Sequence, residues 1–254
     1  MEDRVIRENG FAYFEEGEGP VLMLLHGLMG ALSNFSGVVE HFKKDYRVVI
    51  PLMPIFEINI LDAGVKPLYR YIRDFIEFKG YEQVSMLGNS LGGHVALVYA
   101  VNHQPLLKHL ILTGSSGLYE NAFGGSYPKR GDYEFIKKKV EITFYDPAIA
   151  TKELVDEVFE IINDRSKLVR IISIAKSAIR HNMADELHVI QTPTCLIWGR
   201  NDIITPPEVA EEFHQRLRNS ALFWIDKCGH APMMEHPETF NRLLEGWLRN
   251  PVPN

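Results

Sequence analysis

Gly88-Asn89-Ser90-Leu91-Gly92 spells G-x-S-x-G between two apolar runs, Gln83 to Leu87 before it and Val95 to Ala100 after it. A strand that turns this sharply into a helix leaves almost no room beside the serine. Glycine is therefore needed two positions before and two after it. Such a turn pushes the hydroxyl of Ser90 out where a substrate can reach it. A plain glycine-rich turn can match the same pattern, so the surrounding chain has to decide.

Outward from that turn, short apolar runs alternate with helical patterns, as expected of strand-helix-strand units around a mainly parallel sheet. The expected strands are Val21 to Leu25, Arg47 to Ile50, Gln83 to Leu87, His109 to Thr113, Thr194 to Trp198 and Ala221 to Ile225. Between them, Leu68, Tyr71, Ile72, Phe75 and Ile76 recur at helical spacing, and Gly80 is placed to end that helix. Phe240, Leu243, Leu244, Trp247 and Leu248 repeat the pattern between Pro237 and Pro251. Residues 1 to 20 are expected to form an antiparallel hairpin leading into the sheet.

The alternation breaks once, between about Ser115 and Val189, where three helical stretches follow one another. This predicts an α/β core of residues 1–114 and 190–254 with a helical cap, 115–189, inserted as a substrate lid. Thr151 can cap a helix carrying Leu154, Val155, Val158, Phe159 and Ile162, and a second carries Leu168, Ile171, Ile172, Ala175 and Ile179. Asn121 to Gly131, rich in glycine and charge, reads as a mobile loop before them.

Composition narrows the classes. The chain has 254 residues, 46% hydrophobic and 24% charged, with a net charge of -6. No block of lysine and arginine calls for nucleic acid or an anionic membrane. A small neutral molecule is the expected partner, with a homodimer left open. The charged start Met1-Glu2-Asp3-Arg4 and the lack of a long apolar segment predict a cytoplasmic protein. Cys195 and Cys228 read as free thiols, and neither a metal nor a cofactor is expected.

A serine nucleophile needs a base, and the base needs a group that holds its tautomer. His230, in Lys227-Cys228-Gly229-His230-Ala231-Pro232, follows an expected strand, so its loop overhangs the strand ends. Asp202, in Trp198-Gly199-Arg200-Asn201-Asp202, sits likewise. An Asx turn at Asp202 and an ordinary loop histidine are the alternatives. Asp226 and Glu120 are fallback acids, while His26, His94 and His236 are weaker bases. Acyl transfer also builds an oxyanion that backbone N–H groups can hold. Leu91 and Leu28, the latter in His26-Gly27-Leu28-Met29-Gly30, are placed to donate them.

With His26-Gly27-Leu28, the Ser90 pentapeptide, Ile197 to Asp202, and Cys228-Gly229-His230 through His236-Pro237-Glu238, the chain resembles an α/β-hydrolase over essentially its whole length. The order Ser90, Asp202, His230 is the order of that fold. Within the superfamily it is similar to hydrolases that cleave carbon-carbon bonds in ring-fission products of aromatic degradation. Asn89, Ser33-Asn34-Phe35 and Phe144-Tyr145-Asp146-Pro147 leading to Glu153-Leu154 carry that similarity. The resemblance implies that Asn34, Asn89, Val158 and Ala231 face the substrate. Two of these depart from the pattern. Val158 stands where those enzymes place an arginine for the substrate carboxylate, and Ala231 where they have tryptophan. Arg180 is expected at the rim of the cap. These departures favour a carboxylesterase for small apolar esters, with carbon-carbon hydrolysis of a dienol ring-fission product, or a non-hydrolytic receptor, as the alternatives. Epoxide hydrolysis and dehalogenation are disfavoured, because on this fold they use a carboxylate where the chain has Ser90.

Overall fold

Each expected strand forms, with ends moved by at most two residues. The computed structural model describes residues 1–30, 32–121 and 129–252. In chain order the elements are β1 (Ile6–Glu8), β2 (Phe11–Glu16), β3 (Val21–Leu25), α1 (Ser36–Phe42), β4 (Arg47–Pro51), α2 (Val65–Lys79), β5 (Val84–Asn89), α3 (Leu91–His103) and β6 (Leu107–Thr113). There follow α4 (Tyr133–Glu141), α5 (Lys152–Asn163), α6 (Arg165–Arg180), β7 (Thr194–Gly199), α7 (Pro207–Arg216), β8 (Ser220–Ile225), α8 (Pro232–Glu235) and α9 (Pro237–Arg249).

The sheet runs β1-β2-β4-β3-β5-β6-β7-β8. The N-terminal hairpin pairs antiparallel and joins β4 antiparallel, and every pair from β4 to β8 is parallel. Parallel strands are covered on both faces, which is why β3 and β5 are buried throughout. Side chains alternate between two cores. Met23 and Leu25 of β3 join Leu68, Ile72 and Phe75 of α2 and Val95 of α3. Leu22 and Leu24 join Val38 and Val39 of α1 and Phe240 and Leu244 of α9 on the opposite face.

Local signals explain the helix ends. Gly80 terminates α2 in the left-handed conformation, at φ 63°. Thr151 and Asp164 accept hydrogen bonds from the first turns of α5 and α6. The inward face of α6 differs from the expected one. Ile179 is 48% exposed, and Leu168, Ile171, Ile174, Ala175 and Ala178 face in. Both sets have helical spacing; the buried stripe is centred nearer Ala178, and Ile179 falls outside it. Arg180 closes the helix exposed to solvent.

Helices α4, α5 and α6 lie between β6 and β7 and build a third cluster of Ile136, Val158, Ile161, Ile162, Leu168 and Ile171. Leu28 and Met29, from the turn after β3, pack against it. Most of the loop expected from Asn121 to Gly131 lies outside the described residues. Among those described, no helix is long and apolar enough to cross a membrane.

Candidate active site

Ser90 connects β5 to α3 with φ 53° and ψ -121°, a conformation that disfavours a side chain and is kept where the surroundings enforce it. The enforcement is visible. The Ser90 N–H donates to the Thr113 carbonyl at 3.2 Å, and the Ser90 carbonyl accepts from the N–H groups of Ser116 at 3.1 Å and His94 at 3.2 Å. A Cβ on Gly88 would stand 2.5 Å from the Gly92 carbonyl carbon, and one on Gly92 would stand 2.0 Å from the Leu25 carbonyl oxygen. Both flanking glycines are required by contact.

His230 lies in the loop after β8, and its N–H donates to the Thr143 carbonyl at 2.8 Å. Its Nδ1 is 2.8 Å from Asp202 Oδ2. Asp202 is buried in the loop after β7. Its Oδ1 accepts from the N–H groups of Ile204 at 2.8 Å and Thr205 at 3.0 Å, and Oδ2 accepts from the Thr205 hydroxyl at 2.8 Å. The Asx turn is compatible with a partner role toward the histidine: one oxygen builds the turn, and the other faces the imidazole. Burial disfavours the imidazolium of His230. The charge and hydrogen bond of Asp202, with Glu120 adding to them, outweigh this and raise its pKa above the ordinary histidine value.

The other candidates are occupied elsewhere. Asp226 has its side chain 83% exposed and pairs with Arg200 at 2.8 Å. His26 Nδ1 donates to the Gly27 carbonyl at 2.9 Å, while Nε2 accepts from the Met53 N–H at 3.1 Å. His94 pairs with His181 through ring nitrogens 3.0 Å apart, and burial pushes its pKa down to about 3. His236 Nε2 donates to the Lys227 carbonyl at 2.8 Å.

A cavity of about 220 Å³ brings together Ser90, His230, Leu28, Leu91, Asn34, Asn89, Val158 and Ala231, with Asp202 behind His230. Leu91 is the first residue of α3, where backbone N–H groups lack intrahelical acceptors. Both hydrogens of the Asn89 amide are committed, to the carbonyls of Thr113 at 3.0 Å and His230 at 3.2 Å. The rest of the wall is largely apolar, with Ile136 and Val140 from α4, Leu154 and Ile162 from α5, and Ala175 and Ala178 from α6. Both cysteines are free and buried. Among the described residues no cluster of side chains could hold a metal ion.

Two charged residues also line this wall, one absent from the sequence reading of the site and the other named there as a fallback acid. Lys139, half-buried on α4, lines the cavity, and burial lowers its pKa. In the run Lys137-Lys138-Lys139 it reads as one more solvated lysine. Glu120 also lines the cavity. Burial raises its pKa, against the opposing pull of the Ser116 hydroxyl and of His230. Its position after β6 made it a fallback acid, and only the fold places it on the wall.

Comparison with known proteins places this site in context. The sequence pattern of the alpha/beta hydrolase fold matches residues 20–141 and 157–237. A 2-hydroxy-6-oxo-6-phenylhexa-2,4-dienoate hydrolase of Comamonas testosteroni is 26% identical, over 93% of this chain and 90% of its own length. A 2-hydroxy-6-oxononadienedioate/2-hydroxy-6-oxononatrienedioate hydrolase of a Pseudomonas species is 28% identical, over 90% and 87%. The crystal structure of MGS-MChE2, an alpha/beta hydrolase enzyme from the metagenome of lagoon sediments of Mar Chica, Morocco, superposes with a TM-score of 0.80. It is 47% identical and covers 96% of this chain and 97% of its own. The expected resemblance to hydrolases of ring-fission products therefore holds, and the chain belongs to the alpha/beta hydrolase fold family as a hydrolase enzyme.

Proposed function

We propose that this enzyme is a serine hydrolase that cleaves a carbon-carbon bond in a dienol carboxylate ring-fission product. The observation that carries the serine chemistry is that Ser90, at positive φ, opens onto the same cavity as His230, whose Nδ1 meets Asp202 at 2.8 Å. In this scheme Asp202 holds the Nδ1–H tautomer, so Nε2 is free to take the Ser90 proton as Oγ attacks the substrate ketone. The N–H groups of Leu28 and Leu91 receive the oxyanion. The dienol first becomes its keto tautomer, its hydroxyl proton moving to the carbon next to the ketone. The bond from that carbon to the ketone carbon then breaks, its electron pair passes through the double bond to the new carbonyl oxygen, and the imidazolium returns the proton to that oxygen. Water then frees the acyl group from Ser90. No step calls on a cofactor.

The curated relatives reverse the order of preference reached from the sequence. Both are named for dienoate or dienedioate hydrolysis, and Val158 in place of the arginine had argued for a neutral ester. Lys139, across the same cavity wall on α4, answers that objection by offering a cation to the substrate carboxylate. Helices α4 to α6, within residues 115–189, act in this reading as the lid. Ester hydrolysis is the second reading, supported by the apolar remainder of the wall.

The test gives purified wild type and Ser90→Ala two substrates, 2-hydroxy-6-oxo-6-phenylhexa-2,4-dienoate and 4-nitrophenyl butyrate. Wild type should consume the dienoate with the higher kcat/KM, and Ser90→Ala should lose both activities. Turnover of the ester alone would restore the ester reading. Turnover of neither, with no labelling of Ser90 by a fluorophosphonate, would sink both.

A further inference from the structure

Among the described residues, Glu120 is the one carboxyl on the cavity wall. Its two oxygens differ. Oε2 accepts the Ser116 hydroxyl at 2.5 Å, while Oε1 is shielded from solvent with no partner among the described residues. The backbone fixes this side chain between the parts of the site. Ser116 donates its N–H to the Ser90 carbonyl at 3.1 Å, and Asn121 donates its N–H to the Ile204 carbonyl at 2.7 Å, two residues beyond Asp202. Glu120 thus hangs between the strap that holds the nucleophile and the loop that holds the acid. It is close enough for its charge to be felt at His230.

A buried acceptor is costly to leave unpaired, and an orphaned one in a site points to a donor that arrives with the reaction. The reaction proposed above requires one water beside the Ser90 ester. That water gives one hydrogen to His230 and has a second to place. We propose that Glu120 Oε1 accepts this second hydrogen and holds the hydrolytic water in line with the acyl carbonyl. In that step the water oxygen forms the new C–O bond, the bond from the acyl carbon to Ser90 Oγ breaks, and the proton passes through His230 to Oγ. Glu120 neither gains nor loses a proton.

This inference rests on the acyl-enzyme reading of Ser90, and the experiment separates the two. Wild type, Glu120→Leu and Glu120→Gln are mixed with 4-nitrophenyl butyrate in a stopped-flow instrument. The burst of nitrophenolate reports acylation, and the steady state reports release by water. Glu120→Leu should acylate within twofold of wild type and then turn over slower by on the order of 100-fold, as expected for a misplaced reactant. It should show a burst even if wild type does not, because water attack has become the slow step. Glu120→Gln, which keeps a carbonyl acceptor, should recover most of the loss.

If burst and turnover fall together in Glu120→Leu, the side chain serves the substrate or the base and the inference is overturned. Unchanged turnover overturns it equally. Should Glu120→Leu fail to fold, Glu120→Ala decides by the same ratio. Labelling of Ser90 by a fluorophosphonate in wild type keeps the acyl-enzyme reading standing whichever way Glu120 falls, whereas its absence removes both.

Discussion

His230 Nδ1 meets Asp202 Oδ2 at 2.8 Å while the other Asp202 oxygen is held by the N–H groups of Ile204 and Thr205. The carboxylate is therefore fixed before the imidazole reaches it. Asp202→Asn would keep the turn but replace the acceptor facing His230. We expect kcat to fall on the order of 10⁴-fold.

The same contact sets a pH dependence. In the proposed mechanism only neutral His230 takes the Ser90 proton, and its pKa lies above the ordinary histidine value. Activity should therefore rise with pH through a midpoint above that of a free histidine, measured as log kcat/KM against pH. In Asp202→Asn the midpoint should move down. A midpoint that stays put in the variant would show that another group controls the limb.

Lys139→Met tests the cation on α4. Loss of a charge-assisted contact is worth about 1.5–3 kcal/mol, so KM for the dienoate should rise about 10-fold or more with kcat largely kept. Turnover of 4-nitrophenyl butyrate should be unaffected. A parallel loss on both substrates would point to a damaged helix instead.

Gly92→Ala puts a methyl group 2.0 Å from the Leu25 carbonyl oxygen, where only backbone can give way. Destabilisation of about 1–3 kcal/mol or more is expected, together with loss of fluorophosphonate labelling at Ser90. Thermal melting followed by circular dichroism measures the first part. A variant with unchanged Tm would contradict the packing described for this turn.

His94 makes acid stability measurable. Its pKa in the fold is about 3, against 6.5 for the ordinary side chain. The unfolded chain therefore binds a proton that the folded chain refuses, and stability falls as pH drops below about 6.5. At pH 5 this amounts to about 2 kcal/mol. His26, whose pKa burial also lowers, adds to the trend, whereas His230, raised in the fold, opposes it by a contribution present in acid and lost as pH rises through its folded pKa. Denaturant melts of His94→Gln between pH 7 and pH 5 should show a flatter dependence than wild type. An identical slope would mean that this imidazole is not the source.

The strands were legible because buried parallel strands read as short apolar runs, and Ser90, Asp202 and His230 because each follows such a run at its carboxyl end. The inward face of α6 was misplaced because Ile172, Ile174 and Ile179 are all apolar, and period alone does not say which packs inside. Lys139 left no signal of its own, and Glu120 left only its place after a strand, which made it a fallback acid. A glutamate in a loop and a lysine among lysines acquire meaning only from what folds against them.

The amide of Asn89 joins the carbonyls of Thr113 and His230, so the turn at Ser90 and the loop of His230 are clasped by the residue next to the serine. The same loop is held from its other side by the segment that follows α4, whose Thr143 carbonyl accepts the His230 N–H at 2.8 Å. Helices α4 to α6 can therefore vary as a module without changing the spacing of Ser90 and His230 only where the carbonyl at position 143 is kept.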